Sequence, residues 1–259
     1  MIFLSLFCTH LKAMDQGDPH AKQHSQAERK DHSEELKARN AASRAAAAAL
    51  PHLYPGLRLF RGCVSAAGAD CVVNAANEGL CGGGGVDGVL HALAAGGSSH
   101  DTQACPLCAE VRARFPADPS GARLRTGQAA ATRAYSVPGA RFIVHTVGPY
   151  LDEAGQPQPA LLRACYASSL REARRAGATS IAFPAISTGY YGYPMLEAGR
   201  VAVAAVTEFF SSAECQGAAG GSAYAVPVFL AAFDALSAEI LGGLLGGSGS
   251  AGSSAERDT

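Results

Sequence analysis

Hydrophobic positions along this chain fall into short runs separated by longer amphipathic stretches. Five runs read as strands: "LRLFRG", "CVVNA", "RFIVHTV", "SIAFPA" and "VPVFLAAF". Each is brief, carries β-branched or aromatic residues, and is bounded by Gly, Pro or small polar residues. Helical spacing appears between them. Leu162, Cys165, Tyr166, Ser169, Leu170 and Ala173 form one apolar stripe, which Gly177 stops. A second helix is predicted to begin with Pro194 as its first residue, carrying Leu196, Val203, Val206 and Phe210 on one side. Val86, Val89, Leu90 and Leu93 mark a third. Strand and helix in alternation imply an α/β fold with a mainly parallel sheet covered on both faces, its ligand beyond the carboxyl ends of the strands. From Gly96 to Ala131 no period is clear, and a short helix amid irregular chain is expected there. No internal repeat is visible.

The pattern is confined to residues 52–245, which read as one folded unit. Residues 1–51 are polar and then alanine-rich ("NAASRAAAAAL"), the composition of a flexible arm. Residues 246–259 dissolve into Gly and Ser, as a disordered tail does.

Composition removes some classes. A formal net charge of -1 disfavours a globally basic nucleic-acid binder, which draws its affinity from counterion release. The opening "MIFLSLFCTH" is apolar but lacks a basic flank and is too short to span a membrane, and no later stretch does better. The 8 cysteines follow no framework, which suggests reduced thiols and an intracellular setting, cytosol or nucleus, with an organelle also open. Cys105 and Cys108 form a CxxC with no second pair at finger spacing, so structural thiols are expected there rather than a metal site.

Two glycine-bearing loops carry the candidate chemistry. Gly82 to Gly85 follow a strand and open onto a helix, where unpaired N–H groups and the positive end of the dipole favour a phosphate. The other reading is a mobile surface loop. "ISTGYYGYP" repeats the arrangement, and the pair suggests a clamp around a diphosphate. Ser187, Thr188, Gly189 and Gly192 offer backbone donors there. Tyr190, Tyr191 and Tyr193 offer flat faces to sugar or base, or simply pack the loop. Gly83, Gly85 and Gly88 also satisfy GxGxxG, but the strand ends too early and no second strand with an acid follows, so a dinucleotide fold is disfavoured. Asp87 and His91 stand four apart, and the spacing puts them off the buried stripe. Asp87 either complements the helix dipole or orients water or a sugar hydroxyl. His91 is either a packed or solvated histidine or a catalytic one. Asn74 and Asn77 can each cap a turn or helix, and Asn77, at a strand's carboxyl end, can instead bond sugar hydroxyls.

"VVNAANEGLCGGGGVDGVLH", "FIVHTVGPY", "SIAFPAISTGYYGYP" and "VFLAAFD", in this order, resemble a macrodomain of the MacroD type across most of residues 57–241. The resemblance implies a three-layer α/β/α fold around a central mixed, mainly parallel sheet, with ADP-ribose in a surface cleft. It also implies hydrolysis of ADP-ribose esters, both mono-ADP-ribose on protein Glu or Asp side chains and O-acetyl-ADP-ribose, with no metal or redox cofactor. Asn77, Asp87 and His91 take the catalytic positions. Asn77 contacts the distal ribose, Asp87 positions or activates water, and His91 supports it. Gly83, Gly84 and Gly85 line the distal ribose and phosphates, and Asn74 and Val86 count among the ligand-binding residues. Ser187, Thr188, Gly189, Tyr190, Tyr191 and Gly192 bridge the diphosphate. Phe233 stacks near the adenine or is a core residue.

The chain departs from the family pattern twice. "RGCVSAAG" places Cys63 where the family carries an adenine-binding aspartate, and a thiol does not replace that charge-assisted bond. Adenine binding is expected to weaken by about 1.5 to 3 kcal/mol. Tyr190 replaces a commonly aliphatic residue and narrows the cleft. These departures keep a second class open, a non-catalytic module that reads ADP-ribosylated proteins.

Overall fold

A computed structural model describes residues 52–97, 104–216 and 223–246. The arm expected over 1–51 and all but the first residue of the tail expected over 246–259 lie outside the described residues.

Six strands form one sheet: β1 (Leu57–Arg61), β2 (Cys71–Ala76), β3 (Ala129–Arg133), β4 (Phe142–Val147), β5 (Ile181–Phe183) and β6 (Val228–Ala232), in the spatial order β1-β6-β5-β2-β4-β3. All neighbours pair in parallel except β3, which runs antiparallel to β4 at an edge. Among the described residues five α-helices cover it: α1 (Gly85–Ala94), α2 (Pro106–Arg114), α3 (Pro159–Arg175), α4 (Met195–Ser211) and α5 (Ala235–Leu244).

The strands are buried on both faces, and their period of two sorts side chains between layers. Cys71, Val73, Val144, Ile181, Phe183, Val228 and Leu230 join the core beneath α3, α4 and α5. Val72, Ile143, Ala182 and Ala231 join the opposite core with Leu90 of α1 and Leu107 of α2. The fold is thus the three-layer α/β/α sandwich around a mixed, mainly parallel sheet that the motifs implied. From β2 the chain moves toward β4 and β3, then returns to β5 on β2's other side. That reversal opens a crevice between the carboxyl ends of β2 and β5, where ligands sit in such sheets.

Several expectations are corrected. The stretch from Gly96 to Ala131 contains α2, as a short helix, but also the start of β3. Pro194 is the residue before the helix, extended at φ -61, ψ 129, rather than its first turn. Helix α5 was not foreseen, although Asp234 and Ser237 form a capping box at its start. No described helix is long and apolar enough to cross a membrane.

At the amino ends of the strands, opposite the crevice, Asp70 ties three segments together. It accepts from Arg141 Nε at 2.5 Å and Nη2 at 2.6 Å, and from the Thr179 backbone at 2.8 Å. The Arg141 guanidinium holds this carboxyl down at about 2 against an ordinary 3.8. A depressed carboxylate contributes stability above its unfolded pKa and loses it as pH falls toward the folded one. Arg141 is more than half exposed, so solvent screening keeps the contribution of the pair small. Asp70→Asn is expected to lower the urea midpoint at pH 6, with the gap to wild type shrinking below about pH 3.8 and closing near pH 2. Urea titrations of both proteins at pH 6, 4 and 3 test this.

Candidate functional site

The crevice is walled by two loops. The first leaves β2 at Asn77 and turns sharply back. Asn77 Oδ1 accepts from the backbones of Gly79 at 3.0 Å and Leu80 at 3.1 Å, and its Nδ2 donates to the Gly82 carbonyl at 2.9 Å. The side-chain amide expected to meet a ribose is therefore also the staple of the glycine loop. Gly83, Gly84 and Gly85 are exposed, and Val86 is half-buried behind them. Helix α1 begins at Gly85 with no side-chain cap, leaving its first amides to an outside acceptor.

The loop is glycine-rich for steric reasons as well. A Cβ on Gly88 would stand 2.5 Å from the Gly83 carbonyl oxygen, so helix and loop touch only because that carbon is absent. A Cβ on Gly83 would stand 3.1 Å from Asp87 Oδ2 and 3.2 Å from Asn77 Nδ2. A side chain at residue 83 would therefore crowd both polar atoms.

Asp87 and His91 are not off the buried stripe, as their spacing implied. Asp87 is 3% exposed and His91 0%. His91 is covered by the start of α2, where the Cys105 and Cys108 sulfurs stand against its ring, and Asp87 turns toward the sheet, where Asn74 of β2 meets it. Asp87 Oδ1 accepts from Asn74 Nδ2 at 2.6 Å and lies 3.4 Å from His91 Nε2. Its Oδ2 is buried and accepts from no described residue. Burial pushes the Asp87 carboxyl up to about 6, opposed by the Asn74 hydrogen bond. It is thus an anionic acceptor near neutral pH with one oxygen clamped and the other uncommitted.

Asn74 reaches Asp87 from within the sheet. It lies on the same strand face as Val72, pairs in register with His145 on β4, and is 0% exposed. Its Nδ2 also meets His145 Nδ1 at 3.1 Å, and His145 Nε2 meets Thr132 Oγ1 at 3.0 Å. Since Asn74 donates, His145 Nδ1 accepts and its proton sits on Nε2. Burial keeps that imidazole neutral, with a pKa of about 4. The structure thus places Asn74 beneath Asp87, where it touches the carboxylate rather than the crevice. His145 and Thr132 extend the chain, and sequence reasoning missed both. The signal was a lone histidine inside the apolar run "FIVHTV".

The second loop leaves β5 and opens onto α4. Ser187 adopts φ +66 and is nearly buried, and its Oγ has no described partner. Gly148, at the end of β4, admits it, because a Cβ there would lie 2.2 Å from that oxygen. Thr188 turns its hydroxyl inward to the Ala185 carbonyl at 2.8 Å, whereas Gly189 and Gly192 are exposed. Of the three tyrosines, Tyr190 is 83% exposed, Tyr193 is buried, and Tyr191 stacks on Tyr150 with ring centroids 3.7 Å apart. Burial raises the Tyr191 hydroxyl pKa, and the neighbouring Tyr150 hydroxyl raises it further. Tyr150 is another residue the sequence did not single out.

At the far end of the crevice Phe233 follows β6 and is 45% exposed, so it is not a core residue. Cys63 follows β1 and packs on Val89 of α1. It is disulfide-bonded, while six other described cysteines are free thiols, so the expectation of reduced thiols fails at this one position.

A doubly wound α/β/α sheet with glycine loops at its switch point, and an acid at the root of one of them, defines an anion-binding class of site. The chain matches the family model described as Macro domain over residues 73–202, and it belongs to that family. It is 51% identical over 153 residues to a macro domain-containing protein of Streptomyces griseus, covering 59% of this chain and 79% of that one. It is 41% identical over 155 residues to the O-acetyl-ADP-ribose deacetylase of Escherichia coli, covering 60% and 80%. Among solved structures, the Oceanobacillus iheyensis macrodomain with ADP superposes with a TM-score of 0.57 at 32% identity, covering 71% of this chain and 87% of that one. The Trypanosoma brucei macrodomain in complex with ADP-ribose gives 0.56 at 30%, covering 84% and 89%.

Proposed function

We propose that this chain binds ADP-ribose between its two glycine loops and hydrolyses its esters. It would remove mono-ADP-ribose from glutamate or aspartate side chains and acetate from O-acetyl-ADP-ribose. The observation that carries this reading is Asp87 Oδ2, a buried carboxylate oxygen with no described partner, next to the exposed glycine loop. A plain anion site gains nothing from a carboxylate at its base. A hydrolytic site does, because the oxygen can accept a proton from attacking water. Water then adds across the ester, leaving ADP-ribose with a free hydroxyl and the acyl group as a carboxylic acid.

The loops supply the rest. The exposed amides from Gly83 to Gly85, and those around Gly189 and Gly192, suit a diphosphate and cost no side-chain rearrangement. Tyr191 stacked on Tyr150 gives a flat wall to the ribose side. Ring stacking by Phe233 suits the adenine.

A second reading is a reader of ADP-ribosylated proteins, favoured by the near-complete burial of Asp87. The two part cleanly in one experiment. Calorimetry with ADP-ribose is expected to show binding, and incubation with a glutamate-modified protein is expected to release free ADP-ribose. Binding without release from either ester makes the chain a reader, and absence of binding refutes both.

A further inference from the structure

We propose that His91, Cys105 and Cys108 hold a zinc ion in the core directly behind Asp87. The three donor atoms lie within 4.8 Å of one another, and all three residues are fully buried. His91 Nδ1 is 3.3 Å from the Cys108 sulfur and 3.7 Å from the Cys105 sulfur. Zn–N of ~2.0 Å and Zn–S of ~2.3 Å at a tetrahedral angle put N and S about 3.5 Å apart, so the observed spacings bracket what the ion requires. Cys105 precedes α2 and Cys108 lies in its first turn, which aims both thiols at α1.

Charge decides which ion. Two thiolates and a neutral imidazole carry two negative charges, and a divalent cation cancels them. Copper(I) would leave a net negative charge buried beside the Asp87 carboxylate, an arrangement burial penalises heavily. The surroundings fit as well. A histidine that ligates through Nδ1 directs its Nε2–H elsewhere, and Asp87 Oδ1 stands 3.4 Å from that nitrogen. Carboxylate, histidine and metal in line is the arrangement that fixes a ligating imidazole. The Cys81 carbonyl oxygen, 3.6 Å from the Cys108 sulfur, is the neutral donor at hand for a fourth position. On binding, two thiol protons leave to solvent.

This inference does not depend on ester hydrolysis, and its test reads metal rather than turnover. The full chain, stripped by chelator under reducing conditions, is titrated with zinc ion against a chromophoric competitor. One ion per chain is expected, with a Kd tighter than about 0.1 μM. Cobalt ion in its place is expected to give thiolate-to-cobalt charge-transfer absorption. Zinc is also expected to slow alkylation of Cys105 and Cys108, mapped by mass spectrometry, while Cys215, in the opposite core, alkylates at an unchanged rate. Cys105→Ser/Cys108→Ser should abolish uptake and Cys215→Ser should not. The cobalt and alkylation readouts use the native chain, so they decide the matter even if the double variant misfolds. No stoichiometric metal on the native chain, or equal uptake by a folded double variant, overturns the site.

Discussion

Asp87→Asn is expected to abolish ester turnover and to make the protein more stable. The two effects have opposite signs because one group causes both. Amide for carboxylate preserves shape, and Asn74 still has an oxygen to donate to at the Oδ1 position. What disappears is the proton acceptor, and loss of a positioned general base lowers rates by about 10² to 10⁴. For stability, burial raises the folded pKa from 3.8 to about 6. A raised group adds stability below its unfolded pKa and loses it as pH rises through the folded one. At neutral pH the ionised Asp87 is therefore a net cost, on the order of 3 kcal/mol, and the neutral amide removes it. With metal chelated from both proteins, thermal melts at pH 7.5 should place the variant several degrees above wild type, while calorimetry shows ADP-ribose binding retained. A variant that melts lower and has also lost turnover would identify Asp87 as a structural residue. A higher melting temperature with unchanged turnover would remove it from the chemistry.

That prediction uses a burial the sequence did not disclose. Asp87 and His91 sit beside an apolar stripe, and a helix packed on one face of a sheet ordinarily leaves such a flank to solvent. What covers His91 is α2, whose sequence "PLCAEVRAR" announces that packing only through Leu107, Cys108 and Val111, too short a stripe to read as amphipathic. Strands were legible where β-branched and aromatic residues concentrate. β3, "AAATR", was not, because alanine carries no β preference and an edge strand needs little. The glycine loops were legible because four glycines in a row serve few purposes. Their contacts were not. Nothing local says that Gly88 must lack a Cβ to admit the Gly83 carbonyl, or that Gly148 must admit Ser187. The CxxC looked incidental for a similar reason, since its third donor is His91 on another helix. Asn74 was read as a ligand contact because it stands in the motif, but which face it takes depends on strand register. A one-residue slip would have sent it to the opposite core.

Asn74→Ala is therefore expected to damage stability and rate together. The substitution removes a 2.6 Å bond to the Asp87 carboxylate and a 3.1 Å contact with His145, both fully buried. It leaves Asp87 Oδ1 and His145 Nδ1 short of a donor in a region that water does not freely enter. A buried polar group stripped of its partner costs about 1 to 3 kcal/mol, so two of them and a small cavity cost about 3 kcal/mol or more. The same bond is what lowers the Asp87 pKa against burial, so its loss raises that pKa further. At pH 7 less of the carboxylate is then ionised. With metal chelated from both proteins, the acid limb of the pH–rate profile should move to higher pH, and part of the lost rate should return as pH rises. Recovery at high pH separates a residue that tunes Asp87 from one that merely supports the fold, because an unfolded fraction would not refold on raising the pH. A melting temperature within a degree of wild type, or a profile displaced only in height, would mean that the Asn74 bond does not govern the carboxylate.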